Sequence, residues 1–137
     1  MKEIRLPARV ENIDMVTDFV NEQLEELGCP VKAQIQIAVA IDEIFGNIAR
    51  YAYGDEEGEA VVRVEGGDNN GSVTITFMDS GMPFDPLKRD DPDVTLSASE
   101  RSIGGLGIFV VKRTMDSIDY KYEDNKNVLS IHKKFGR

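Results

Sequence analysis

The chain has one cysteine, one histidine and no tryptophan in 137 residues. With Cys29 alone, an internal disulfide framework and a multi-cysteine zinc site are both excluded. The single His132, in "LSIHKKF", reads as a strand surface residue rather than a ligand. No apolar run approaches the ~20 residues that a membrane span requires. The opening "MKEIRLPARVENI" has no apolar signal-peptide core, so export is not expected and a cytoplasmic location is. Basic residues are also scarce, 16 against 25 acidic ones, for a net charge of −9. That balance argues against nucleic acid, whose phosphates need a basic face. A free nucleotide stays open, because backbone amides and a metal ion can supply positive potential.

Apolar residues make up 41% of the chain and charged residues 30%, ordinary values for a soluble globular protein. The length suits a single domain over residues 1–137 with one core. "EIRLPAR" alternates and predicts a short strand, with Pro7 suited to a sheet edge. The apolar spacing of Ile13, Val16, Phe19, Val20, Leu24 and Leu27 predicts a helix closed by Gly28. Pro30 then opens a second helix that runs to about Tyr53 and stops at Gly54. "EAVVRVEG" and "SVTITFMD", joined by "GDNNG", give a hairpin. A long aperiodic stretch follows, about residues 80–104, of the kind that forms a functional lid or a disordered segment. A third helix begins near Gly105 or Gly107, and a last hairpin turns around "DNKN". This order predicts an α+β fold, a two-layer α/β sandwich with helices on one face of a mixed, mostly antiparallel sheet.

Three stretches carry residues that suit neither a core nor a plain turn. In "VAIDEIFGNIARYAYG", Glu43 and Asn47 are four residues apart and share a helix face. A carboxylate and an amide oxygen there suit a hard cation such as Mg²⁺, or the carboxylate acts as a general base. A solvated helix face reads equally well from this stretch alone. In "MDSGMPFDP", Asp79 ends a strand where it can accept from an exocyclic amino group, and Gly81 allows positive φ or close backbone approach. An ordinary Asp-Ser-Gly turn fits too. In "GGLGIFVVK", Gly104, Gly105 and Gly107 stand at a helix N-terminus, either as an anion site or as a plain cap. No GxxxxGK[ST] occurs, and GGxG is not the dinucleotide GxGxxG.

Taken in order, the three stretches resemble the Bergerat-fold ATP-binding superfamily shared by histidine kinases, gyrase and MutL. Within it the likeness is to the small bacterial anti-sigma factor serine kinases. The N box appears as "EIFGNIARYAYG", the adenine-site D-x-G as "DSG", and the distal lid, glycine motif and helix as "ERSIGGLGIFVVKRTMD". The resemblance covers about residues 3–135. It implies Glu43 as the catalytic base, Asn47 as the Mg²⁺ ligand, and Asp79 and Gly81 at the adenine of ATP. It implies phosphate contacts for Gly104, Gly105, Gly107 and Arg101, and a hydroxyl near the adenine for Ser130. Tyr51 stands where the family often has histidine. The implied function is a protein-serine kinase that binds a sigma factor and phosphorylates a STAS-domain antagonist. The alternative is a module switched by ATP without phosphoryl transfer. Relatives act as homodimers, although no dimer signal stands in this sequence.

Overall fold

The computed structural model of the chain describes residues 1–67, 71–88 and 105–135. Its alternating stretches form β1 (Lys2–Pro7), β2 (Glu59–Gly66), β3 (Ser72–Asp79), β4 (Ser117–Glu123) and β5 (Lys126–Lys134). They make one sheet in the order β1-β2-β3-β5-β4, with every neighbouring pair antiparallel. The sequence left room for a mixed sheet, and the connections explain why none forms among the described residues. β3 and β4 are joined through a helix and run parallel, but β5 pairs with both and separates them. Pro7 ends β1 at the sheet edge, where a missing N–H costs no ladder bond. Between β4 and β5, Asp124 and Asn125 both take positive φ, 53° and 62°, as a two-residue hairpin turn requires.

Among the described residues three helices cover the sheet: α1 (Ile13–Glu26), α2 (Val31–Asn47) and α3 (Gly105–Thr114). α1 ends in a Schellman turn. Gly28 takes φ 75°, its N–H donates to the Glu25 carbonyl (3.0 Å), and the Cys29 N–H donates to that of Leu24 (2.9 Å). Pro30, at φ −63°, then caps the start of α2. The last turn of α2 widens into a π-turn, Ile48–Ala52, before Gly54 ends it at φ 59°.

The core forms where the buried stripes of the helices meet alternate residues of the strands. Val62, Ile75, Phe77 and Ile131 from the sheet pack with Val16, Val20 and Leu24 of α1, Ile37, Ile41 and Phe45 of α2, and Val111 of α3. All three helices therefore lie on one side, and the fold is the expected two-layer α+β sandwich. The other side of the sheet carries polar cross-strand pairs, Thr74 with His132 (3.0 Å) and Thr76 with Ser130 (3.0 Å), next to the apolar row Val61, Met78 and Val128.

Gly28→Ala should lower stability by about 1–2 kcal/mol, the cost of a left-handed L-residue. A Cβ there meets nothing within 4 Å, so the loss is conformational rather than steric. Urea denaturation measures it, and an unchanged midpoint would show that the turn after α1 contributes nothing.

Candidate active site

The inward face of β3 carries Val73, Ile75 and Phe77, and by the same alternation Asp79, which is only 6% exposed. A buried carboxylate is costly unless hydrogen bonds satisfy it. Its Oδ1 accepts from the Gly81 N–H (2.9 Å) and from Asn127 Nδ2 (2.9 Å). Among the described residues no hydrogen bond reaches Oδ2. Burial pushes the Asp79 carboxyl above its ordinary pKa, and the bonds from Asn127 and Gly81 only partly oppose this.

Asn127, at the start of β5 and also buried, organises the loop that follows β3. Its Nδ2 donates a second bond to the Met82 carbonyl (2.9 Å). Its Oδ1 accepts from the Phe84 N–H (3.1 Å) and from the Tyr120 hydroxyl. The amide thus uses its full capacity of two donated and two accepted bonds. The loop is held at two further points. Ser80 N–H donates to the Tyr53 hydroxyl (2.8 Å), which itself donates to the Glu59 carbonyl (2.5 Å). The Met82 N–H donates to the Ala52 carbonyl (2.8 Å). Gly81 is required by this approach and not by its φ: a Cβ would lie 2.2 Å from the Ala52 oxygen.

α2 and α3 meet beside the same place. Asn47 Nδ2 donates to Glu43 Oε1 (3.2 Å). A Cβ on Gly107 would lie 2.0 Å from the Glu43 carboxylate, so the first turn of α3 passes directly against that side chain, which a larger residue would push aside. Between α2, α3 and the sheet lies a cavity of about 210 Å³. Ile44, Ile48, Ala52, Phe77, Ile108 and Leu129 supply apolar walls, and Asn47, Asp79 and Asn127, with the tyrosines Tyr51 and Tyr120, bring polar groups to it. Such a slot suits a flat, apolar ring that presents a hydrogen-bond donor to Asp79.

The structure therefore brings Glu43, Asn47, Asp79, Gly81 and Gly107 into one region, with Gly105 at the start of α3. It does not bring in Ser130. That side chain points to the opposite side of the sheet, bonded to Thr76, because inward positions on β5 are Asn127, Leu129 and Ile131. The expectation for Ser130 is corrected on that ground, since a one-residue shift along a strand changes the face. Asn127 was missed, yet its alternation with Leu129 and Ile131 was readable. Gly46 does not line the cavity; the Arg50 guanidinium lies over it, 2.8 Å from where a Cβ would be. Tyr51 does line it. Arg101, Gly104 and most of the expected lid lie outside the described residues.

The donor set fits Mg²⁺ in one manner. No cluster of three His, Cys, Asp or Glu able to hold a metal occurs among the described residues. Mg²⁺ keeps several waters and is commonly held by one or two side chains together with substrate phosphates. The Asn47 amide oxygen and the Glu43 carboxylate can provide that much. No helix among the described residues is long and apolar enough to cross a membrane.

Residues 6–133 match the family model described as histidine kinase-like ATPase domain. The chain belongs to this family. Among curated family relatives it is 26% identical over 131 residues to the serine-protein kinase RsbW of Listeria monocytogenes, covering 92% of this chain and 82% of that one. It is 24% identical to the serine-protein kinase RsbW of Bacillus thuringiensis, covering 93% and 81%. Among solved structures, the RsbU and RsbW domains of Rv1364c from Mycobacterium tuberculosis share its fold, with a TM-score of 0.64 at 13% identity. That match takes in all of this chain but only 33% of the other. The catalytic domain of histidine kinase ThkA matches with a TM-score of 0.51 and 13% identity over 99% of both chains.

The raised pKa of Asp79 makes a stability prediction. The folded state holds this proton more tightly than the unfolded state, so stability falls as pH rises from the ordinary carboxylate range through the raised value. Asp79→Asn keeps an oxygen for Gly81 and Asn127 and removes the buried charge. It should match or exceed wild-type stability at neutral pH, with the difference closing in acid. Thermal melts at pH 4 and pH 7 would test this; a mutant clearly less stable at pH 7 would contradict it.

Proposed function

We propose that this chain binds ATP in the cavity between α2, α3 and β3 and transfers its γ-phosphate to a serine of a STAS-domain anti-sigma antagonist. In this reading it also holds a sigma factor inactive, so phosphorylation of the antagonist decides whether the sigma factor is released. The observation that carries the nucleotide half is Asp79. It is buried at the end of an apolar slot, with one oxygen held by Gly81 and Asn127 and no described donor on the other. That free oxygen would accept from the adenine amino group. The kinase half is supported by the RsbW relatives, which align along 131 residues and are named serine-protein kinases.

Each site residue then has one task. Glu43 takes the proton of the serine hydroxyl as its oxygen bonds to the γ-phosphorus and the bond to the β–γ bridging oxygen breaks, leaving ADP. Asn47 would hold Mg²⁺, which when bound offsets the negative charge of the phosphates. The backbone amides at Gly105 and Gly107, at the N-terminus of α3, suit phosphate oxygens. Gly104 and Arg101 are proposed as further phosphate contacts on the sequence likeness alone. A cytoplasmic location and a homodimer belong to the same proposal, the homodimer on the family resemblance alone.

Calorimetric titration with Mg-ATP should show saturable binding that Asp79→Asn abolishes despite intact folding. Glu43→Ala should bind ATP within about threefold of wild type and lose serine labelling by roughly 10²-fold or more, the usual weight of a general base. Labelling at the wild-type rate in that mutant would remove Glu43 from the mechanism. ATP binding by wild type with no labelled serine on any STAS partner would favour a nucleotide-switched module instead.

A further inference from the structure

The helix layer turns a second feature outward, away from the sheet. On α2 the core-facing residues are Ala33, Ile37, Ala40, Ile41 and Ile44, and on the opposite side Val31, Ile35 and Val39 stand 69%, 60% and 45% exposed. Their i, i+4, i+8 spacing makes one apolar stripe over about 12 Å of helix. The neighbouring α1, packed against α2 in the same layer, buries Val16, Val20 and Leu24 and turns outward Asp14, Asp18, Glu22 and Glu25, all exposed. No lysine or arginine occurs within α1, and the ion pairs among the described residues lie elsewhere. An unpartnered apolar stripe thus runs beside an unneutralised acidic one.

We infer that this outer face of α1 and α2 docks a basic amphipathic helix of a partner protein. Its apolar side would cover Val31, Ile35 and Val39, and its lysines or arginines would reach the carboxylates of α1. Charge selects this occupant over the others. An anionic membrane or a nucleic acid would be repelled by the four carboxylates. A second copy pairing through the same face would set acid against acid, in a chain already at −9. The face is distinct from the nucleotide cavity, whose α2 residues, Ile44 and Asn47, belong to the C-terminal part of that helix. The inference therefore stands apart from the proposed activity.

The probe is a pair of labelled synthetic peptides of about 18 residues, long enough to hold a helix. Both carry the same leucine stripe, one with lysines and the other with glutamates on the polar side. The lysine peptide should bind saturably at physiological ionic strength and the glutamate peptide should not. Ile35→Ser should weaken binding about tenfold, and the double change Asp18→Lys with Glu22→Lys should weaken it and flatten its salt dependence. Circular dichroism confirms that each variant is folded, and Mg-ATP titration of Ile35→Ser should match wild type. Absence of binding, or binding that Ile35→Ser leaves unchanged, overturns the inference. So does sedimentation showing a wild-type dimer that Ile35→Ser converts to monomer, because a second copy would then cover the stripe.

Discussion

The buried contact between Asp79 and Asn127 is the constraint on which the site depends. A carboxylate this deep would be intolerable alone, and a strand-end asparagine satisfies half of it. The same amide also fixes Met82, Phe84 and Tyr120, so one side chain joins the ends of β3 and β5 to β4 and the following loop. With both hydrogens and both lone-pair positions of Asn127 committed, the loop has little freedom to move without exposing unsatisfied polar groups. The remaining oxygen of Asp79 is then presented at a fixed position in an apolar wall. Recognition of a donor by one well-placed acceptor needs this combination of burial and rigidity.

Glycine at two positions allows the rest of the site to close around that acceptor. At Gly81 the chain after β3 passes against the carbonyl of Ala52, at the end of the π-turn. At Gly107 the first turn of α3 reaches the carboxylate of Glu43. Neither glycine is used for positive φ: Gly81 leaves room for the Ala52 backbone, and Gly107 leaves the Glu43 carboxylate in place. π-Turns of this kind occur disproportionately at functional sites. Here the widened turn carries Tyr51 and Ala52 to the cavity and sets the carbonyl that Met82 bonds. Three weak motifs become one site because two close backbone approaches bring them there.

Much of this was legible beforehand. The 3.6-residue period of α1 and α2, the alternation of β2 and β3, and the turn chemistry at Gly28, Gly54 and Asp124–Asn125 are local properties, and each formed where expected. The same holds for Glu43 and Asn47, whose shared face follows from helical geometry alone. Ser130 failed for an equally physical reason. A hydroxyl residue on a late strand was sought by type, whereas its face depends on which alternate residues the core takes. Asn127, Leu129 and Ile131 turn inward, and Ser130 therefore turns out to Thr76.

The sequence by itself determined the kinds of elements, their order and their turns, because these depend on side-chain periodicity and on backbone preferences a few residues long. It also determined the acidic balance and the lack of cysteine and histidine clusters that limit what chemistry is available. Only the tertiary structure decided that Asn127, 48 residues away, closes on Asp79. The insertion of β5 beside β3 places it there, and no local preference encodes that neighbour. The cavity likewise belongs to no single segment: α2, β3, β5 and α3 each supply one wall, and burial of their apolar faces against one another is what creates it.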